Sequence, residues 1–226
     1  MTLLNGSVRG LEFDFVPAGV EAAAQGGMVG PAGTQTEEKD HGPFRLDVSR
    51  TVQAVAVLLD SDPGKRMSSL RLSQLLYIAD RECLAGTGRP ITGDRIMALD
   101  FGPVLADVYR LLQSDRWEQP TWVEFFRKVG YQIERVKDPG VEALSEFAIR
   151  TLRDIADRYQ RHGELDLVRL TQRLPEWQWN DPVRHGQLER PIPIEDVLVA
   201  VGRAKDIPWI MEAALADATL DQVLGR

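Results

Sequence analysis

Apolar side chains recur at helical spacing in the chain after residue 47, and this repeat constrains the fold more than any other feature of the sequence. Two such stripes consist of Val48, Val52, Val55 and Leu59, and of Leu72, Leu75, Leu76, Ala79 and Cys83. Residues three or four positions apart share one face of a helix, so each stripe predicts a helix with one buried side. Ser68 or Ser69 can cap the second helix, which we predict to stop at Gly86 and Gly88.

The C-terminal half of the chain repeats this pattern. A long helix is predicted to begin near Ser145, and Leu165 to Leu174 is predicted to form the next one. Pro193 and Pro208 are expected to begin two last helices, because proline is tolerated in the first helical turn. The segment between these groups, Glu176 to Pro191, is predicted to be an irregular loop.

Short β-prone pieces lie between the helices. Thr92-Gly93-Asp94 is predicted to be the turn of a tight hairpin within residues 89–101, and Gly102-Pro103 is predicted to open another helix. Tyr131 to Val136 alternates as a strand does. The predicted fold class is therefore mainly α with a small β-hairpin or sheet element, in a single compact helical domain with a flexible N-terminal arm.

Residues 1–46 are predicted to be this arm, and residues 47–226 are predicted to be the helical domain. The arm is rich in Gly and Ala, which offer little surface to bury, so the entropy cost of ordering its backbone is not offset. One apolar piece, Leu11 to Val16, is expected to order only on a partner or against the domain.

The charge balance limits the kinds of partner. The chain has 27 basic and 34 acidic side chains, a net charge of -7, and this argues against broad binding to nucleic acids or anionic membranes. A basic protein partner would be attracted instead. A single cysteine, no recognisable leader and no long apolar run lead us to expect a cytoplasmic protein that does not span a membrane.

No arrangement of residues with catalytic or metal-binding chemistry is recognisable. The three histidines, His41, His162 and His185, are far apart in sequence, and no pair of His or Cys has the spacing of zinc ligands. Cys83 lies on an apolar helix face, where cysteine is usually a small core residue. We therefore expect no enzymatic activity, no metal and no cofactor.

Three blocks of sequence follow one another in a characteristic order and spacing. The first is Leu72-Ser73-Gln74-Leu75-Leu76-Tyr77-Ile78-Ala79-Asp80-Arg81-Glu82. The second and third are Gly88-Arg89-Pro90-Ile91-Thr92-Gly93-Asp94 and Phe101-Gly102-Pro103-Val104. Together the three blocks resemble the Panacea-domain, or SocA-like, antitoxin family. Weaker similarity extends through Leu170-Thr171 and Pro175-Glu176-Trp177, and the pattern is broken at Gln172, where a histidine is expected.

The resemblance implies an antitoxin of a type II toxin–antitoxin system, which binds and neutralises a protein toxin encoded beside it. The toxins of this family are varied, and some resemble alarmone synthetases. In one branch the protein is instead an adaptor that presents its toxin to a Clp-type protease, and this remains the alternative function. A homo-oligomer is also left open.

The candidate partner-binding residues lie on or beside the second and third blocks. They are Asp80, Arg89, Asp94, Arg95, Asp100, Phe101, Tyr109 and Arg110. Tyr and Arg are favoured interface residues, although an ordinary solvated helix edge would explain Tyr109 and Arg110 equally well.

Asp80 is expected to lie at the border of the apolar face of its helix. There it would accept from Arg89 or Arg95 and so fasten the hairpin to the helix. The alternative is that Asp80 contacts a basic site on the toxin.

Two other functional classes are weighed against an antitoxin. A hydrolase that uses Asp80 with Arg89 would lack a nucleophile and base pair. A DNA-binding repressor would lack a basic recognition helix.

Overall fold

The structure is a computed structural model that describes residues 43–114 and 120–224. Residues 1–42, most of the predicted arm, lie outside the described residues. Within the described ranges there are nine α-helices: α1 Val48–Asp60, α2 Ser69–Thr87, α3 Ala106–Gln113, α4 Pro120–Phe125, α5 Glu146–Arg158, α6 Glu164–Thr171, α7 Pro175–Trp179, α8 Ile194–Ala200 and α9 Ile207–Leu224. The strands there are β1 Arg66–Ser68, β2 Ile96–Leu99, β3 Gly102–Leu105, β4 Phe126–Val129, β5 Gln132–Arg135 and β6 Glu189–Ile192. The mainly α fold class is confirmed.

The two predicted apolar stripes form α1 and α2, and α2 lies at the centre of the core. Asp47 caps α1 by accepting from the N–H of Arg50 at 2.9 Å, and Ser68 caps α2 by accepting from the N–H of Arg71 at 3.2 Å. The apolar side of α2 is buried against α1, α3, α5 and α6. The serine cap is therefore confirmed at Ser68.

The end of α2 differs from the prediction at one glycine. Gly86 lies inside the helix, and the helix ends at Thr87, with Gly88 in the left-handed conformation at φ 74°. A Cβ atom on Gly86 would lie 2.3 Å from the ring of Phe147 in α5. Gly86 is thus needed for close packing between helices, and Gly88 for the helix end.

Strands β3, β2 and β6 form one antiparallel sheet in that order. The predicted hairpin turn at Thr92-Gly93-Asp94 is wrong, because the strands of the hairpin are β2 and β3 and its turn is Asp100-Phe101. The predicted helix start at Gly102-Pro103 is also wrong. Pro103 lies in β3, at the edge of the sheet, where a residue without an N–H is tolerated. The helix α3 begins three residues later, at Ala106.

Strands β1, β5 and β4 form a second small antiparallel sheet. Its central strand β5 confirms the strand predicted within Tyr131 to Val136. Met67 of β1 pairs with Ile133 of β5, and both side chains are buried in the core.

The C-terminal helices largely follow the predicted pattern. Ser145 caps α5, accepting from the N–H of Ala148 at 3.1 Å, and α8 begins directly after Pro193. The segment Glu176 to Pro191 is not an irregular loop throughout. It contains most of α7, a short 3-10 helix at Val183–His185 and most of β6, which pairs with β2.

Candidate functional site

Asp80 is a buried structural residue of α2. Its carboxylate is 2% exposed and accepts from the N–H groups of Ile91 at 2.9 Å and Thr92 at 3.1 Å, and from the Thr92 hydroxyl. Burial raises the pKa of Asp80 to about 6, and the hydrogen bonds from Thr92 and Ile91 only partly oppose this rise. Asp80 therefore fastens the segment that follows Gly88 to α2.

The arginine partners predicted for Asp80 are wrong. Arg89 forms an ion pair with Asp217 of α9, and Arg95 forms one with Asp107 of α3 at 3.0 Å. Backbone N–H groups take their place at Asp80 because the chain passes directly over this carboxylate at Ile91 and Thr92.

Asp94 is also buried, and its side chain caps α3 although it is not adjacent to that helix in sequence. One carboxylate oxygen accepts from the N–H groups of Asp107 and Val108, both at 2.9 Å, and the other accepts from the N–H of Arg95 at 2.7 Å. The residue before α3, Leu105, has no side chain that could do this. Burial raises the pKa of Asp94 to about 6. Its role in the fold was missed because the capping carboxylate is distant in sequence from the helix that it caps.

A buried polar group formed by Tyr77, Arg81 and Glu176 joins α2 to α7. Glu176 is fully buried, accepts from the Tyr77 hydroxyl at 2.8 Å and forms an ion pair with Arg81. Burial and the neighbouring Glu176 carboxylate raise the pKa of Tyr77 well above its usual value. This group was not predicted from the sequence. The positions of Tyr77 and Arg81, four apart on one helix face, were the available signal.

A second polar contact joins α2 and α6 beneath the hairpin. The Thr171 hydroxyl donates to Oε1 of Gln74 at 2.6 Å. Gly102 of β3 lies against this pair with φ 115°, and a Cβ there would lie 2.6 Å from Oγ1 of Thr171. The hairpin can therefore approach the two helices only with glycine at this position.

The β2–β3 turn and α3 together form an exposed surface. Asp100 is exposed at the turn, and the ring of Phe101 lies 5.6 Å from that of Tyr109, inclined at 44°. Both aromatic side chains are half-buried, and burial together with the Asp100 carboxylate raises the pKa of Tyr109. Arg110 is exposed beside them and forms an ion pair with Asp107 at 3.0 Å.

Gln172, where the family pattern leads one to expect histidine, contacts the same turn. Its Nε2 atom donates to the backbone carbonyl of Asp100 at 2.6 Å. The side chain of a residue after α6 thus holds the turn of a hairpin that lies far from it in sequence. We refer to Asp100, Phe101, Tyr109 and Gln172 as the hairpin tip surface.

Of the eight predicted partner-binding residues, the structure brings three together at the hairpin tip surface: Asp100, Phe101 and Tyr109. Arg110 lies one position further along α3. Arg95 joins Arg110 through their shared partner Asp107, whereas Arg89 contacts α9 on a separate surface. The carboxylates of Asp80 and Asp94 are directed into the fold.

Cys83 is buried, and burial raises the pKa of its thiol to about 12, so the thiolate nucleophile is scarce at neutral pH. Among residues 43–114 and 120–224, no group of three or more His, Cys, Asp or Glu side chains is arranged to hold a metal ion. No helix in the same ranges is long and apolar enough to cross a lipid bilayer.

Comparison with known protein families gives a match for part of the chain. Residues 72–178 match the model of the family described as Antitoxin SocA-like, Panacea domain. The match begins in α2 and ends in α7, so it includes the buried polar groups and the hairpin tip surface. No curated protein sequence and no solved structure gives a significant match. Residues 72–178 are therefore similar to the SocA-like antitoxin Panacea domain.

Proposed function

We propose that this protein is the antitoxin of a type II toxin–antitoxin pair and neutralises a protein toxin by binding it directly through the hairpin tip surface. The observation that carries the proposal is the half-buried Phe101–Tyr109 pair, in which Phe101 lies on a turn held by Gln172 and Tyr109 lies in α3. Aromatic side chains on a rigid support bury a large area at little cost in entropy, as binding hot spots require.

Several other polar residues of the matched range form hydrogen bonds inside the fold and are not available to a partner. This supports assigning the binding surface to the hairpin turn. Asp80, Arg81 and Thr171 all form hydrogen bonds within the fold. These side chains stabilise the scaffold, and the turn that the scaffold supports remains accessible to the partner. An antitoxin that acts by covering a surface needs such a scaffold and no catalytic group.

The experiment is co-expression with the toxin encoded beside this protein, followed by titration calorimetry with the purified pair. The double variant Phe101→Ser with Tyr109→Ser should raise the Kd at least about tenfold, a loss of about 1.4 kcal/mol, and abolish protection of growth. The control is Tyr131→Ser at the turn between β4 and β5, where the side chain is 74% exposed. Equal effects of the two sets of changes, or a toxin that does not bind, would rule out the proposal.

The adaptor function makes a different prediction in the same cells. An adaptor lowers the amount of toxin in a manner that depends on a Clp-type protease, whereas direct neutralisation leaves the toxin present and bound. Immunoblots of toxin levels with and without the protease separate the two. Deleting residues 1–44 then tests whether the predicted arm takes part in delivery.

A further inference from the structure

The loop between α7 and β6 is ordered by its own hydrogen bonds. The N–H of Val183 donates to the Asp181 carboxylate at 3.0 Å, and the N–H of Gln187 donates to the carbonyl of Pro182 at 2.9 Å. Asn180 connects the loop to the body of the protein through Nδ2, which donates to Asp196 of α8 at 2.7 Å. These hydrogen bonds make the loop an ordered part of the fold.

This ordered loop presents apolar side chains to solvent. Leu188 is 93% exposed and Val183 is 69% exposed. Single exposed apolar residues are common on protein surfaces. Here, however, two are held on one structured loop, and Leu188 directly precedes β6, whose first residue Glu189 pairs with Leu99. Leu99 is the last residue before the hairpin turn, so the loop adjoins the hairpin tip surface.

Two exposed carboxylates lie at the same end of the sheet. Asp100 and Glu189 are exposed, and neither side chain has an ion-pair partner within the described part of the chain. Of the nearby guanidinium groups, Arg184 forms an ion pair with Asp181, and Arg190 of β6 donates to the neutral amides of Asn180 and Gln187. The acidic side chains therefore remain available to a cation on a partner.

We propose that the loop of residues 183–188 extends the hairpin tip surface and contacts a protein partner that offers an apolar depression for Leu188 flanked by Lys or Arg side chains. This inference rests on the proposed function and specifies the toxin's contact surface. Residues 183–188 lie beyond the matched range of 72–178. The loop would therefore recognise features of this toxin in particular, while the hairpin tip surface provides the common contact.

The first test replaces the exposed leucine. With the purified toxin as ligand, Leu188→Asp should raise the Kd at least about tenfold and Leu188→Ala by a smaller factor, at unchanged Tm. The matched control is Tyr131→Asp, which adds the same charge at an exposed side chain of the other sheet. If Leu188→Asp changes the Kd no more than Tyr131→Asp does, the proposed role of the loop is wrong. The double variant at Phe101 and Tyr109 reports separately on the proposed function.

The second test addresses charge. Changing Asp100→Asn together with Glu189→Gln should slow association and weaken its dependence on salt over roughly 0.05 to 0.5 M NaCl. Arg173→Gln, next to Gln172, removes a positive charge instead and should leave association unchanged or accelerate it. Association that is faster in the carboxylate variant, or slower in Arg173→Gln, would show that the partner surface is not basic.

Discussion

At the scale of single residues, α2 shows two ways of burying charge. Asp80 is surrounded by backbone N–H groups, whereas its neighbour Arg81 is paired with the carboxylate of Glu176. The two arrangements have different consequences. The cost of burying a carboxylate without a cation is only partly offset by its hydrogen bonds, while a buried pair is sensitive to the loss of either partner.

We expect Glu176→Gln to lower the free energy of unfolding by about 2 to 4 kcal/mol, because Arg81 would then be buried to a large extent without a counter-charge. The Arg81 side chain is 18% exposed. The matched control is Glu82→Gln, which breaks the exposed Glu82–Arg158 pair and should cost less than about 1 kcal/mol. Urea denaturation of both variants measures the difference. Similar losses in the two variants would contradict the assigned role of Glu176.

The pKa of Asp80 predicts a pH dependence of stability. Its value in the folded state is about 6, above the ordinary value of 3.8, so the folded protein binds this proton more tightly than the unfolded chain. The stability that this group contributes is therefore present below about pH 4 and is lost as the pH rises to about 6.

The measurement is the free energy of unfolding of the wild type minus that of Asp80→Asn, taken from pH 4 to pH 6, the range that the unfolded-state pKa of about 4 and the folded-state pKa of about 6 define. We expect this difference to fall across the range. Asp138 is the control of opposite sign, because its hydrogen bond from the N–H of Gly140 lowers its pKa below 3.8. Its contribution should stay constant over the same range. A flat difference for Asp80 would refute the assignment.

At the scale of elements, the β2–β3 hairpin depends on a glycine at one strand end. We expect Gly102→Ala to cost about 2 to 4 kcal/mol, because it combines a positive φ with a clash against Thr171. Gly130→Ala has a positive φ of 59° but no atom within 4 Å of the added Cβ, so it should cost only about 1 kcal/mol. Thermal unfolding of the two variants compares the costs, and equal shifts in Tm would show that the contact with Thr171 does not matter.

The helices illustrate how much local sequence determines. α1, α2 and α5 begin where a side chain of Asp47, Ser68 or Ser145 can accept from an N–H of the first turn, and all three were predictable. α3 has no such residue before it and is capped by Asp94 instead. The prediction at Pro103 failed because proline suits both a helix start and an edge strand.

At the scale of the whole molecule, the hairpin turn is held by a contact between distant segments. We expect Gln172→Ala to cost about 0.5 to 1.5 kcal/mol, because the Asp100 carbonyl loses its donor. Amide hydrogen exchange at Phe101 and Gly102 should become faster. Gln172→His should retain much of the protection, since an imidazole N–H can also donate. Unchanged exchange in Gln172→Ala would mean that other contacts hold the turn.

The range that matches the family model forms only part of the fold. Residues 72–178 contain the central helix, the hairpin and the buried polar groups. β6, which comes later in the chain, completes the sheet beside the hairpin. The proposed binding surface therefore combines residues from the matched domain with residues that follow it.

The spacing of apolar residues and the capping side chains determined the main helices of this protein and its mainly α class, because both signals act within a few residues of one another. Only the tertiary structure decided where the hairpin turns, which groups donate to Asp80 and Glu176, and which candidate residues share a surface. Those outcomes depend on contacts between residues such as Gln172 and Asp100, which chain folding brings together and which no local pattern records.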